Sequence, residues 1–339
     1  MQEQKTGVLL VNLGTPDSPA VSDVRKYLKE FLMDERVIDI PYINRWLLVN
    51  LIIANFRSPK SAKEYQKLWD ERGSPLKYYG FDLKDLVQSA LGEDYIVELA
   101  MRYQNPSIEF GLEALKSKDV SKIIVIPLFP QYASASTGSV AQKVNEIVNK
   151  WQIIPNITHI NQFIEHPKFI EAVAQRGKTL MDKQDYDHII FSYHGLPERQ
   201  ILKGAVDNSC KLGACCNTFN EKNRYCYRAQ CYYTSRMLAK AFGLKKDDYT
   251  TTFQSRLGKT PWIQPYTDEV LETLPEKGIK KVLAFSPAFI ADCLETKIEV
   301  GEEFRDNFIE AGGDVWDLVP SLNDSEIWVE CLEDLVRKA

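Results

Sequence analysis

Along most of the chain, short apolar runs alternate with longer stretches in which apolar residues return every three or four positions. The runs are rich in Val, Ile, Leu and Phe and bounded by Gly, Pro and polar residues. They read as buried strands at 7–13, 95–103, 122–129, 158–163, 188–193, 249–254 and 280–289. The helical period between and after them predicts helices over 21–31, 61–70, 81–91, 107–117, 140–150, 231–242, 268–274, 292–310 and 324–337. Strand and helix in alternation give the α/β class, with parallel sheets flanked by helices.

Two strand regions repeat weakly. Val8-Leu-Leu-Val-Asn-Leu-Gly-Thr-Pro16 aligns with Ile189-Ile-Phe-Ser-Tyr-His-Gly-Leu-Pro197, and the run opening at Lys122 resembles the run opening at Lys281. Both pairings point to two similar halves. A length of 339 residues fits two units of about 150 residues each, and the segment 151–156, with Pro155, is the natural joint.

Composition narrows the class. With 44% apolar and 26% charged residues the chain is an ordinary globular protein, and a net charge of −5 without a basic stripe argues against nucleic acid as a partner. The polar start runs straight into a strand, without the features of a signal peptide, so the expected location is cytoplasmic. The stretch 46–56, from Trp46 to Phe56, contains two Asn and is half the length of a spanning helix. Its periodicity favours a buried helix face over an apolar lip for a flat ligand or a membrane surface.

Open parallel sheets bind ligands beyond the carboxyl ends of their strands. The polar residues expected there are 12–15, 102–103, 131–132 with 134–139, 194–195, 254–256 and 292–295. Among them His194, one of four histidines, leaves a buried strand just before a Gly-Leu-Pro turn, where an imidazole can exchange protons with a ligand. His159, His166 and His188 sit at less telling places and read as structural or surface residues. Asp292, Glu295, Glu299 and Glu303 repeat at three- and four-residue spacing, an acidic row that fits either a solvated helix face or a path for protons or divalent cations. The Ser- and Gly-rich segment 134–139 offers free backbone N–H groups to an anion such as a propionate but lacks the Lys of a phosphate-binding loop.

Five of the seven cysteines, Cys210, Cys215, Cys216, Cys226 and Cys231, fall within 22 residues. In a chain read as cytoplasmic this favours a metal or iron–sulfur centre over disulfides. The C-x4-C spacings match neither the common zinc-finger nor the bacterial ferredoxin pattern, so zinc stays as the competitor.

Taken in order, Leu9 to Pro16, Arg57-Ser-Pro-Lys60, Gly73-Ser-Pro75, Met101-Arg-Tyr103, Pro127 to Tyr132, Ser134 to Gly138, Ser192-Tyr-His-Gly-Leu-Pro197, Phe253-Gln-Ser-Arg256, Pro261-Trp262 and Asp292-Cys-Leu-Glu-Thr296 closely resemble the ferrochelatases. The resemblance runs from Gly7 to about Pro320. It implies two Rossmann-like domains with a porphyrin cleft between them: 1–156 with a returning 318–339, and 157–317 carrying a cysteine-rich insert at 204–231. It further implies an enzyme that inserts Fe2+, as substrate, into protoporphyrin IX or coproporphyrin III. His194 would be the proton acceptor and Glu295 its counterpart across the macrocycle, both able to meet the iron.

Asp292, Glu299 and Glu303 would relay protons or metal. Asn12, Leu13, Arg57, Arg102, Tyr103, Ser134, Ser255 and Trp262 would contact the porphyrin. Many members carry His where this chain has Cys293, which removes any imidazole role at that place. Some members hold a 2Fe–2S cluster on internal cysteines, which implies one here on four of the five, with Cys231 the spare. A related chelatase for another metal such as cobalt or for another tetrapyrrole, and a non-catalytic porphyrin carrier, are the alternatives; the carrier reading predicts decay at His194 or Glu295, and both are intact.

Overall fold

The computed structural model describes residues 5–205, 209–258 and 260–339. The described chain forms eight strands, β1 (Thr6–Gly14), β2 (Tyr95–Tyr103), β3 (Lys122–Pro127), β4 (Asn156–His159), β5 (His188–His194), β6 (Tyr249–Gln254), β7 (Lys281–Phe285) and β8 (Val315–Leu318). They make two four-stranded sheets, ordered β2-β1-β3-β4 and β6-β5-β7-β8, and every pairing is parallel. The two orders are the same permutation. The sequence repeat paired β1 with β5 and β3 with β7, and those strands hold equivalent places in their sheets.

The chain divides into two compact units, one of Met1–Phe129, Ser134–Gln162 and Trp328–Ala339, the other of Pro130–Ala133 and Phe163–Ile327. The sequence placed the joints at 156/157 and 317/318. They fall later because β4 completes the first sheet by pairing with β3, and β8 completes the second by pairing with β7. In the first unit the strand face of Leu9, Val11, Ile123 and Val125 packs against Leu112, Leu115, Val140 and Val144 from two helices. In the second, Ile190, Val282 and Ala284 pack against Leu271, Val300, Phe304 and Phe308. Each fully buried Leu, Ile or Phe of this kind contributes about 2 kcal/mol of transfer free energy.

Strand β8 and the helix Pro167–Met181 have no counterpart among the elements expected from the sequence. β8 is four residues long, too short for a pattern to register. Two further elements differ from expectation. The expected helix 292–310 is a π-helix, Glu295–Glu303, continued by the α-helix Phe304–Glu310. The expected strand 280–289 stops at Phe285, two residues before Pro287. The stretch 46–56 is helical and buries one side, with Val49 and Ala54 fully covered, while Leu51, Ile52 and Phe56 are more than half exposed, Phe56 by 80%. No helix among the described residues is long and apolar enough to cross a membrane.

One glycine fixes the exit of β1. Gly14 has φ +116°, and a Cβ there would lie 2.0 Å from the Tyr103 carbonyl oxygen, so only a bare Cα lets β1 and β2 end side by side.

Candidate active site and cysteine centre

The carboxyl edge of the first sheet carries a closed polar network. Arg102, near the end of β2, forms an ion pair with Asp34 (Nη2 to Oδ2, 2.7 Å) and donates from Nε to Ser139 Oγ at 2.6 Å. The Tyr103 hydroxyl donates to the same Asp34 oxygen at 2.9 Å. Burial pushes the Asp34 carboxyl up. Hydrogen bonds from Ser139, the Arg36 backbone N–H and Tyr103, with the Arg102 charge, outweigh that and hold it below the usual carboxylate value. Ser134 accepts from Arg36 Nη1 at 2.8 Å. Asn12 is buried, its Oδ1 accepting from the Leu13 N–H at 2.8 Å while Nδ2 has no partner. Arg57 lies on the exposed helical stretch.

The second sheet's edge is built differently. His194 ends β5 in register with Gln254, the last residue of β6. Its Nδ1 lies 2.6 Å from the Gly195 carbonyl oxygen. A carbonyl can only accept, so Nδ1 carries the hydrogen and Nε2 keeps the free lone pair of the neutral ring. The rings of Trp262 and Phe289 flank the imidazole at centroid distances of 6.4 and 6.5 Å. Gly195 permits this turn, since a Cβ there would come within 2.8 Å of the Gln254 carbonyl oxygen.

Gln254 links the histidine to the acids. Its Oε1 accepts from Ser192 Oγ at 2.7 Å, and its Nε2 points to the Glu295 carbonyl oxygen and to Glu299 Oε2, at 3.5 and 3.4 Å. Glu299 also accepts from the Ser255 N–H at 2.9 Å and from Ser255 Oγ at 2.5 Å. Ser255 leaves the strand at φ +66°, which turns both donors toward that carboxyl.

Burial raises the Glu299 carboxyl to about 7, with the negative charges of Glu295 and Glu303 adding to the rise and the Ser255 hydrogen bonds opposing it. Burial, and next the Glu295 charge, push the Cys293 thiol well up, so it is a neutral neighbour of that glutamate. Asp292 is tied down: its oxygens accept from the Ser321 N–H and the Asn323 amide.

Thus the structure gathers His194, Glu295, Glu299, Ser255 and Trp262 at the edge of the second sheet, and Asn12, Leu13, Arg102, Tyr103 and Ser134 at or beside the edge of the first. Asp292 is held in structural hydrogen bonds. Asp34 and Phe289 were absent from the site expected from sequence, and Gln254 was expected only as one of the polar residues at a strand exit. Gln254 is signalled by its place at a strand exit, whereas Asp34 has no local signal because its side-chain partners Arg102 and Tyr103 lie 68 and 69 residues away.

The cysteines form two linked pairs. Cys210 and Cys215 share a hydrogen bond, as do Cys216 and Cys226, and the Cys215 and Cys216 sulfurs are 4.0 Å apart. Cys226 caps the helix Tyr227–Phe242. The hydrogen bond from Cys216 lowers its thiol below the ordinary value against the opposing effect of burial, and the Ala229 N–H adds to the lowering. Cys231 is fully buried one helical turn on, where its thiol hydrogen-bonds Tyr227.

Among the described residues no three His, Cys, Asp or Glu side chains are placed to hold one ion. Four linked thiols are the donor type that a 2Fe–2S cluster takes, two to each iron. Residues 206–208 of the expected insert lie outside the described residues.

The ferrochelatase family model matches residues 5–339. A ferrochelatase of Legionella pneumophila (strain Lens) is 46% identical over 334 residues, covering 98% of this chain and 99% of its own. A ferrochelatase of Coxiella burnetii (strain Dugway 5J108-111) is 42% identical over 340 residues, covering 99% and 94%. Among solved structures, SirB from Bacillus subtilis with Fe3+ superposes with a TM-score of 0.54 at 13% identity, covering 98% of this chain and 95% of that one. At that identity the likeness speaks for the chelatase fold alone. The strand-exit motifs, the twofold repeated sheet and the full-length match agree, and the chain belongs to the ferrochelatase family.

Proposed function

We propose that this enzyme inserts Fe2+ into protoporphyrin IX or coproporphyrin III to form haem, with His194 as the proton acceptor and Glu295 acting on the other side of the macrocycle. The observation that carries the reading is the free Nε2 of His194 on the sheet edge where Gln254 reaches Glu295 and Glu299.

A free-base porphyrin gives up two pyrrole protons as the dication enters. The neutral imidazole takes a proton at Nε2. Glu299, whose carboxyl is poised at about 7, exchanges protons near neutral pH, as a relay must. Glu303 continues the row. Glu295 meets the incoming iron as a hard oxygen donor. Asn12, Leu13, Arg57, Arg102, Tyr103, Ser134, Ser255 and Trp262 are the proposed porphyrin contacts. The test is insertion assayed by absorbance under anaerobic conditions: His194→Ala and Glu295→Gln each lower the rate by about a hundredfold or more while porphyrin binding persists. Either variant working at the parental rate removes the assignment.

Cys210, Cys215, Cys216 and Cys226 are the proposed ligands of a 2Fe–2S cluster. Metal insertion transfers no electrons, so when bound the cluster supplies structure or redox sensing. Anaerobically purified protein is then coloured, with iron and sulfide in equal amounts, and Cys226→Ala loses the colour while Cys231→Ala keeps it. A colourless, zinc-loaded protein rules the cluster out. The exposed apolar segment 46–56 is the proposed contact with a membrane surface, reached from the cytoplasm.

A further inference from the structure

The helix Tyr227–Phe242 packs against β5 through two tyrosine hydroxyls. Tyr193, the residue before His194 in β5, pairs its hydroxyl with Ser235 Oγ at 3.0 Å. Tyr227, in the first turn of the helix, donates its hydroxyl to the backbone carbonyl oxygen of His194 at 2.9 Å. The second contact falls where β6 leaves the sheet at Ser255, so the His194–Gly195 peptide lies at the end of the ladder.

Tyr227 is buried, and the Cys231 thiol, one turn along the same helix, hydrogen-bonds its hydroxyl from the other side. The hydroxyl has one proton, which goes to the carbonyl, so the thiol is the donor to the phenolic oxygen. Arg228, the next residue, donates to the Gln264 carbonyl oxygen at 3.0 Å, two residues beyond the Trp262 that flanks the imidazole.

We infer that Tyr227 is a positioning residue for metal insertion: by holding the His194–Gly195 peptide through its hydroxyl, it keeps the Gly195 carbonyl on Nδ1 and so presents Nε2 as the proton acceptor. The inference rests on the reading of His194 as that acceptor. The geometry couples the three groups in series. The hydroxyl holds the carbonyl end of the His194–Gly195 peptide while its N–H donates to the Gln254 carbonyl oxygen at 2.8 Å, the Gly195 carbonyl follows across the next peptide unit, and that oxygen selects the tautomer. A freed peptide would let the ring carry its hydrogen on Nε2, where it blocks proton uptake from a pyrrole.

The test compares Tyr227→Phe with Tyr193→Phe. Each removes one hydroxyl from the same helix–strand contact, but only the first touches the His194 peptide. In Tyr227→Phe, kcat falls about tenfold, the scale expected for a displaced catalytic group, with KM for porphyrin held within about twofold. Nitrogen-15 NMR of the imidazole shows a mixture of tautomers in place of a single Nδ1–H form. Tyr193→Phe lowers the melting temperature comparably and leaves both readouts at their parental values.

A single Nδ1–H tautomer and unchanged kcat in Tyr227→Phe overturn the inference, as do equal effects from both variants. If His194→Ala keeps the parental insertion rate, it is the acceptor reading that fails. The NMR comparison then still reports whether Tyr227 sets the tautomer.

Discussion

The edges of the two sheets, built from the same strand order, treat charge in opposite ways. At the first, Asp34 is surrounded by Arg102, Tyr103 and Ser139, and its carboxylate is held ionised by three hydrogen-bond donors and the Arg102 cation. At the second, Glu299 sits among Glu295, Glu303 and the hydroxyl of Ser255, and its carboxyl is lifted to near neutrality. The first arrangement is satisfied and stays in one protonation state through the working range. The second is poised to change state. The same strand order thus carries a carboxyl held ionised at one edge and a carboxyl lifted toward neutrality at the other, and the difference lies in which side chains surround it.

The comparison breaks most sharply at Asp34. Asp34→Asn leaves the Arg102 guanidinium, whose side chain is 14% exposed, without its counter-charge, and costs about 3–5 kcal/mol of stability in urea unfolding at pH 7. Because the native carboxyl lies below its ordinary value, this stabilisation is present above about pH 4 and is lost as the pH falls further, so parent and variant converge in acid. A flat difference across pH would show that the edge is held by packing alone.

A smaller effect, with the opposite pH dependence, tests the other edge. The native carboxyl of Glu299 is raised, so the parent loses stability as the pH climbs from about 4.5 through about 7. The loss approaches 2–3 kcal/mol by pH 8. Glu299→Gln removes this slope, so its unfolding free energy changes little between pH 5 and pH 8 while the parent's falls. Parallel slopes in the two proteins would place the titrating group elsewhere.

The parts of this picture legible in the sequence were those written locally. Six of the eight strands carry the apolar runs read from the sequence, the expected strand 158–163 overlaps β4 only at Thr158 and His159, and the repeat of Val8 to Pro16 at Ile189 to Pro197 already contained the duplicated sheet. The sequence placed His194 at a strand end, where β5 does finish, and Glu295 on the helical segment that follows β7. What escaped was either too short or too distant. β8 has four residues, and its strand character comes from pairing with β7. The π-helical Glu295–Glu303 has nearly the periodicity of an α-helix, so spacing could not separate the two. Asp34 and Tyr227 act through partners 68 and 33 residues away, and no local pattern encodes such a meeting. The segment 46–56 was read in part: Val49 and Ala54 form the buried face, but apolar residues at helical spacing do not say how much of the helix that face covers.

Gly14 carries a last implication. An oxygen from the neighbouring strand occupies the space any larger residue would need, so this position is shut to ordinary inherited variation. Asn12 and Tyr103, which flank that contact on adjacent strands, are thereby held at a common spacing however far the surrounding surface drifts over generations.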